Sequence, residues 1–105
     1  MEHNKTIEEI IDFSIQEELL ISEIFSELTQ KFDLPKGEIL NSFTTYLKKL
    51  ADKKEVGFTE VVYGGKETQF NEIEPNDLFQ MIDNNSSILD SEVSKRFIFV
   101  YSTSK

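Results

Sequence analysis

The spacing of the apolar residues changes at Glu55, and this change constrains the fold more than any other feature of the 105-residue chain. Before Glu55, apolar residues recur at every third or fourth position, which is the spacing of one face of a helix. After it, Val56, Phe58 and the run 61–63 follow the shorter period of a β-strand, and Gly64-Gly65 supplies the positive φ angles that a tight hairpin turn requires. The sequence therefore predicts an α+β fold with a helical part at 6–54 and a β-hairpin at 55–73.

Three helices are predicted within residues 6–54. The run 6–9, Thr-Ile-Glu-Glu, has the form of a capping box, so the first helix should begin there and extend to a point between Glu18 and Leu20. Ser22 is the expected N-cap of a second helix that ends near Phe32, and Pro35 is the expected first residue of a third helix. The third helix is the best defined, because its apolar positions form one regular stripe: Ile39, Leu40, Phe43, Leu47 and Leu50.

The residues after the hairpin are predicted to add a short helix and a closing strand. The short helix covers 75–83 with Asn76 as its cap, and residues 84–87 have the composition of a loop. The dense apolar run within 96–102 is typical of a strand that is covered on both faces, and we expect it to pair with the strand at Val56. The whole chain, 1–105, is interpreted as one domain with a small antiparallel sheet.

This order of helices and strands resembles the winged-helix fold, a helix-turn-helix unit of three helices followed by a β-hairpin wing. The matching segments are 22–32 as second helix, 34–38 and 43–50 as the start and core of the third helix, and 56–73 as the wing. The tail after Pro75 departs from a minimal winged helix, and the chain is similar to small acidic winged-helix-like immunity proteins encoded beside bacterial toxins. The resemblance implies either inhibition of a toxin or, as in the DNA-binding members, a third helix in the major groove with the wing tip on phosphates.

The charge of the chain favours a protein partner. Asp and Glu number 20 against 11 Lys and Arg, and the formal net charge of −9 repels nucleic acid and attracts a basic surface. The excess is concentrated in residues 1–35, which hold nine acidic and two basic residues. An acidic surface there would steer a basic partner, such as a toxin domain, and neutralise its cationic cleft. The candidate protein-binding residues are Glu8, Glu9, Asp12, Glu17, Glu18, Glu23 and Glu27.

The alternative function is that of a DNA-binding transcription regulator that uses the helix at 36–54. That segment holds five lysines and two carboxylates, which makes it the basic part of the chain, but it contains no Arg to read guanine. Glu60, Glu67 and Glu72 lie on the wing, where a phosphate-binding surface should be positive. The charge count therefore favours a protein partner over DNA. The candidate DNA-binding residues are Ser42, Thr45, Lys48, Lys49, Lys53, Lys54 and Lys66.

The sequence gives little support to catalysis. The chain has no Cys, and His3, its one histidine, lies close to the N-terminus. It contains no Gly-x-Ser-x-Gly elbow, phosphate-binding loop or calcium loop, so we predict a non-enzyme without metal or cofactor. No segment approaches the roughly 20 apolar residues of a membrane span, and the start lacks an apolar signal region, so we expect no membrane association and a cytoplasmic location.

The aromatic residues divide into an inward group and a surface group according to these periods. Exposure of Tyr63 and Phe70 on facing strands would create an apolar patch for a protein partner or for a second copy of the chain. Dimerisation through the wing is therefore a third hypothesis. The inward group is Phe25, Phe32, Phe43, Phe58 and Phe97. The candidates for the surface, for which the core is still the favoured place, are Tyr46, Tyr63, Phe70 and Tyr101.

Overall fold

The fold was obtained as a computed structural model that describes residues 6–90 and 96–103. Three helices precede a β-hairpin, after which a short helix and a closing strand complete the fold, so the predicted α+β layout is confirmed. The elements are α1 (Ile7–Gln16), α2 (Ile21–Lys31), α3 (Lys36–Asp52), β1 (Val56–Gly64), β2 (Glu67–Ile73), α4 (Pro75–Asn84), a 3₁₀ helix (Ser86–Leu89) and β3 (Phe97–Ser102).

Helix α1 begins where the sequence predicts and ends earlier. In its capping box the Glu9 N–H donates to Thr6 Oγ1 (3.1 Å) and the Thr6 N–H donates to Glu9 Oε1 (2.9 Å). The helix stops at Gln16 because Glu18 adopts a left-handed conformation, with φ +57°, and the Leu19 N–H turns back to a carbonyl of the last turn. This is the Schellman ending that glycine normally provides.

The expected starts of α2 and α3 are wrong by one or two residues. Ser22 is not a cap but the second residue of α2, where it is buried, and Leu20 occupies the N-cap position. The Leu20 N–H donates to the Glu23 carboxylate (3.0 Å), so this helix end is satisfied without a hydroxyl cap. Pro35 lies at the N-cap of α3, one residue before the first helical residue, Lys36.

The hairpin turn lies one residue further along than the Gly64-Gly65 pair suggests. Gly64 still belongs to β1 and pairs with Glu67 of β2, so Gly65 and Lys66 form the two-residue turn. Gly65 has φ +56°, the conformation for which glycine is needed here. The position of this turn fixes the register of the whole hairpin.

The three strands form an antiparallel sheet in the order β2-β1-β3, so β3 pairs with β1 as predicted. Phe58 of β1 lies opposite Ile73 of β2 and Val100 of β3. These residues and Ile98 lie on the inner face of the sheet, which packs against the helices to form the core. The Phe58 ring meets the Phe79 ring of α4 edge-on, with 5.9 Å between the ring centroids.

The segment from β2 to the 3₁₀ helix corrects two predictions. Pro75 is the first residue of α4, because its missing N–H is not needed there, and Asn76 is therefore not the cap. The stretch 84–87 is not loop throughout, because the 3₁₀ helix begins at Ser86 and Asn85 caps it by accepting the Ser87 N–H (3.2 Å). The last two residues of this 3₁₀ helix are buried in the core.

Strand β3 is buried on its inner face and only partly covered on its outer face, contrary to the prediction of cover on both. Ile98 and Val100 are buried, whereas Phe97 is 39% exposed and is not part of the core. The alternation of side chains along a strand explains the difference, because a register that sends Ile98 and Val100 inward must send Phe97 and Phe99 outward.

An ion pair on the inner side of the sheet connects β1 to the residue before β3. The Arg96 guanidinium donates through Nε to Glu60 Oε2 (2.8 Å) and through Nη2 to Glu60 Oε1 (2.7 Å), and its Nη1 contacts Met81 Sδ of α4 (3.1 Å). These hydrogen bonds lower the pKa of Glu60, although partial burial of the carboxylate acts in the opposite direction.

We expect Glu60→Gln to destabilise the fold at neutral pH and much less in acid. The pKa of Glu60 is lower in the folded state than in the unfolded chain, where it is about 4.3. The stabilising contribution of Glu60 is therefore present at pH values above the unfolded pKa, and it is lost as the pH falls through the folded pKa. The pair is partly exposed, so the loss at neutral pH should stay below about 1 kcal/mol. Urea unfolding at about pH 7 and pH 3 measures the loss of unfolding free energy, with Glu67→Gln on β2 as the control. An equal loss at both pH values would contradict the prediction.

Candidate protein-interaction surface

The sheet has an outer face that points away from the helices, and the register defines it. Alternate residues of each strand point to this face, and directly paired residues of neighbouring strands share it. Val61 lies at its centre, opposite Phe70 of β2 and Phe97 of β3. The outer face consists of Gly57, Thr59, Val61 and Tyr63 of β1, Thr68, Phe70 and Glu72 of β2, and Phe97, Phe99 and Tyr101 of β3.

Exposed aromatic side chains dominate the outer face. Tyr63 is 63% exposed and Phe70 is 70% exposed, so the condition for an apolar patch on the hairpin is met. The Tyr63 ring meets the Phe97 ring edge-on, with 5.3 Å between the ring centroids. Val61 is only 5% exposed, although it does not belong to the core on the inner face. The outer face therefore carries a small apolar cluster of its own whose rings remain open to solvent.

An open groove of about 380 Å³ crosses the outer face. Its lining combines apolar and aromatic side chains with one carboxylate that comes from the turn between α1 and α2. The lining residues are Glu18, Thr59, Val61, Phe70, Phe99, Tyr101 and Ser102.

Two hydroxyl groups that line the groove hold the carboxylate of Glu72. Thr59 Oγ1 donates to Glu72 Oε1 (3.1 Å), and the Tyr101 hydroxyl donates to Glu72 Oε2 (2.5 Å). The hydrogen bond to Glu72, together with partial burial, raises the pKa of Tyr101. Each carboxylate oxygen thus accepts one hydrogen bond from the protein, and a carboxylate oxygen can accept a second.

The turn between α1 and α2 brings Glu18 to this groove. Leu20 forms a β-bridge with Phe99 at the free side of β3, so the turn lies beside the edge of the sheet. Glu18 precedes that bridge by two residues and lines the groove together with Phe70 and Phe99. Negative charge from the helical part and aromatic area from the sheet therefore belong to one continuous surface.

Four of the seven predicted protein-binding carboxylates have partners within the fold. Glu9 and Glu23 accept backbone N–H groups at helix starts, and Glu27 pairs with Lys31 (3.2 Å). Asp12 accepts a hydrogen bond from the Tyr46 hydroxyl (2.7 Å). The pKa of Tyr46 is raised, mainly because the side chain is partly buried and also because of this hydrogen bond. The three that remain make no hydrogen bond or ion pair with another described residue and are exposed: Glu8, Glu17 and Glu18.

The exposed face of α1 has an aromatic residue among its carboxylates. Phe13 is 55% exposed and lies four residues after Glu9 and four before Glu17, so the three side chains share one helix face. The acidic face of α1 therefore also offers apolar area to a partner, and it leads through Glu17 and Glu18 to the groove on the sheet.

The candidate DNA-binding residues occupy several separate places. Ser42, Thr45 and Lys49 line an open groove between α1 and α3, but Glu8 of α1 lines the same groove. Lys48 points to α4, where its Nζ lies 5.5 Å from the Phe79 ring centroid.

The other candidate cations lie at opposite ends of the hairpin. Lys53 and Lys54 directly follow α3, whereas Lys66 belongs to the turn at the far end of β1. Strand β1 has nine residues, so it separates the two places by about 30 Å. Glu55 and Glu60 lie between them along the chain, and Glu67 lines a groove together with Lys66. These lysines therefore do not form one cationic strip with α3.

Comparison with known protein families, with curated proteins and with solved structures found no match. Within residues 6–90 and 96–103, no three His, Asp or Glu side chains are grouped so that they could hold a metal ion. Helices in these same ranges are all too short or too polar to cross a bilayer.

Proposed function

We propose that this chain is a non-catalytic binding module for a basic protein, and that it inhibits a toxin-type partner in the cytoplasm as an immunity or antitoxin factor. The observation that supports this function is the groove on the outer face, which Glu18 lines together with Phe70 and Phe99. The groove joins the acidic turn of the helical part to the exposed rings of the sheet.

Each part of this surface has a distinct role in binding a basic protein. Exposed aromatic rings such as Phe70 and Tyr63 supply the buried apolar contacts that dominate the affinity of an interface. The carboxylates of α1 and its turn, with the net charge of −9, steer a cationic partner and exclude anionic ones. The resemblance to acidic winged-helix-like immunity proteins supports a toxin as the partner, and it predicts that the partner is encoded by a neighbouring gene.

We expect the charge-reversal pair Glu8→Lys with Glu17→Lys to slow association with the neighbouring gene product about tenfold at low salt. Dissociation should change little, because these exposed carboxylates contribute to steering more than to close contact. Stopped-flow mixing at low and at high salt measures both rates, and the difference should shrink as salt screens the charges.

The matched control for this test is the pair Glu38→Lys with Asp52→Lys, which makes the same change in net charge on the exposed side of α3. This control should slow association clearly less. Equal slowing by both pairs would place the contact surface elsewhere, and a neighbouring gene product that forms no complex with the wild-type chain would contradict the proposed function.

The alternative, a DNA-binding regulator that uses the helix at 36–54, is favoured by one observation. Ser42, Thr45 and Lys49 of α3 share one groove, as residues that read DNA would. Retardation of the chain's own upstream DNA in a gel shift, abolished by Lys49→Ala, would replace the proposed function with this one.

A further inference from the structure

We infer that the groove on the outer face binds an arginine side chain of the partner, with apolar residues of the same segment on the surrounding rings. This inference rests on the proposed function, because it names the chemical group by which a basic protein would be recognised.

Glu72 provides the anionic end of this site: it lies outside the seven lining residues, but its carboxylate is held by two of them, Thr59 and Tyr101. Thr59 and Tyr101 each donate to a different oxygen of its carboxylate, so the group is oriented before any partner arrives. Both oxygens retain acceptor capacity, and two parallel N–H groups of a guanidinium match such a carboxylate better than the single charge of an ammonium does. The chain itself contains this arrangement, since Arg96 binds both oxygens of Glu60 on the other side of β1.

The rest of the groove suits the flat guanidinium and its alkyl stem. Phe70, Phe99 and Tyr101 offer ring surfaces, on which arginine stacks more readily than other cations, and Val61 offers apolar contact. Glu18, the one carboxylate of the lining, adds a second negative charge to the site, and the seven lining residues include no Lys or Arg.

Two other occupants fit the groove less well. A second copy of the chain would bring its own Glu18 in the groove, its own Glu72 beside it and a further net charge of −9 to the same contact, which opposes self-association. A single-stranded nucleic acid could stack bases on the rings, but its phosphates would meet these carboxylates. Charge complementarity therefore selects a cationic protein segment.

The test uses a blocked pentapeptide, serine-valine-arginine-valine-serine, and the isosteric neutral peptide with citrulline in place of arginine. Binding is followed by amide chemical shifts of the isotope-labelled chain at low salt. The arginine peptide should bind at least about tenfold more tightly than the citrulline peptide, and its shifts should map to Val61, Phe70 and Tyr101. A lysine peptide should fall between the two.

Variants of β2 then identify the groups responsible. Glu72→Gln should reduce the affinity for the arginine peptide about five- to tenfold and leave that for the citrulline peptide unchanged. Phe70→Ser should weaken both peptides. The matched control is Glu67→Gln, which removes the same charge from the opposite side of the same strand and should change neither affinity.

With the peptides, the inference would be overturned by equal binding of the arginine and citrulline peptides, by shifts that map to the groove between α1 and α3, or by an oligothymidine that displaces the arginine peptide. A dimer in light scattering that Phe70→Ser dissociates would overturn it in favour of self-association. The proposed function is tested separately. If the neighbouring gene product binds wild type and Glu72→Gln equally well, the groove is not the arginine site but the function stands; if it does not bind at all, the function fails.

Discussion

Replacement of Phe58 by alanine should lower the free energy of unfolding by about 3–5 kcal/mol, the usual cost of deleting a fully buried phenylalanine ring. Phe58 has no exposed surface and lies in the central strand, between Ile73 of β2 and Val100 of β3. Its ring also meets the Phe79 ring of α4, so the alanine variant would have a cavity between the sheet and α4. For a chain of this size, such a loss is a large part of the total stability.

The matched control is Phe70→Ala, on the other strand of the hairpin and the other face of the sheet. Phe70 is 70% exposed, so its loss should change the stability by no more than about 0.5 kcal/mol. Urea unfolding followed by circular dichroism compares the two variants, because the chain has no Trp to report on folding. Similar losses in both would mean that the assignment of the two faces is wrong, as after a one-residue slip of register.

The helical part was predictable where local chemistry alone decides the structure. The capping box of Thr6 and Glu9 and the apolar stripe of α3 depend on residues three or four apart, and both were identified from the sequence. The helix ends were not, because Glu18 and Lys54 take left-handed conformations that glycine usually marks. The end of α1 is therefore set by the contacts that follow it, among them the bridge from Leu20 to β3.

The candidate site was only partly predictable, because it depends on register. The sequence identified Tyr63 and Phe70 only as candidates for the surface, with the core as the favoured place, and both are exposed. A turn centred on Gly64-Gly65 would place Thr59 opposite Phe70, whereas the actual turn, one residue later, places it opposite Glu72. That shift creates the hydrogen bond on which the arginine site depends.

The contribution of β3 to the site could not be predicted from local patterns. Its register with β1 follows a long connection through α4 and the 3₁₀ helix, so no turn residue encodes it. The prediction that Phe97 points into the core was wrong for this reason. The two-residue period of a strand does not say which of its two sets of alternate side chains faces the core. The pairing of Gly57 with Tyr101, which brings the tyrosine hydroxyl to Glu72, also depends on that register.

The pairing of Gly57 with Tyr101 leads to the second large expected effect: Gly57→Ala should cost about 1–3 kcal/mol of stability. Gly57 is buried, and a Cβ there would lie 2.5 Å from Cζ and from the hydroxyl oxygen of Tyr101, well inside contact distance. The tyrosine ring must therefore shift, and we expect this to break its hydrogen bond to Glu72.

A double-mutant cycle separates this steric cause from the ordinary effect of replacing a glycine. In a Tyr101→Ala background the obstructing ring is gone, so Gly57→Ala should become neutral or slightly stabilising, because alanine restricts the unfolded chain more than glycine does. Gly37→Ala in the first turn of α3 is the matched glycine control: no atom lies within 4 Å of its added Cβ, so it should be stabilising by about 0.5–1 kcal/mol.

The Gly57→Ala variant also connects the fold to the proposed site. Once the bond to Glu72 is broken, the pKa of Tyr101 should fall toward its ordinary value, which an ultraviolet titration detects. The affinity for the arginine peptide should fall with it, because Glu72 then loses one of the two donors that orient its carboxylate. An unchanged tyrosine titration and an equal cost of Gly57→Ala in both backgrounds would show that the Tyr101 ring does not lie over Gly57. The orientation of Glu72, and with it the preference for arginine, would then need another cause.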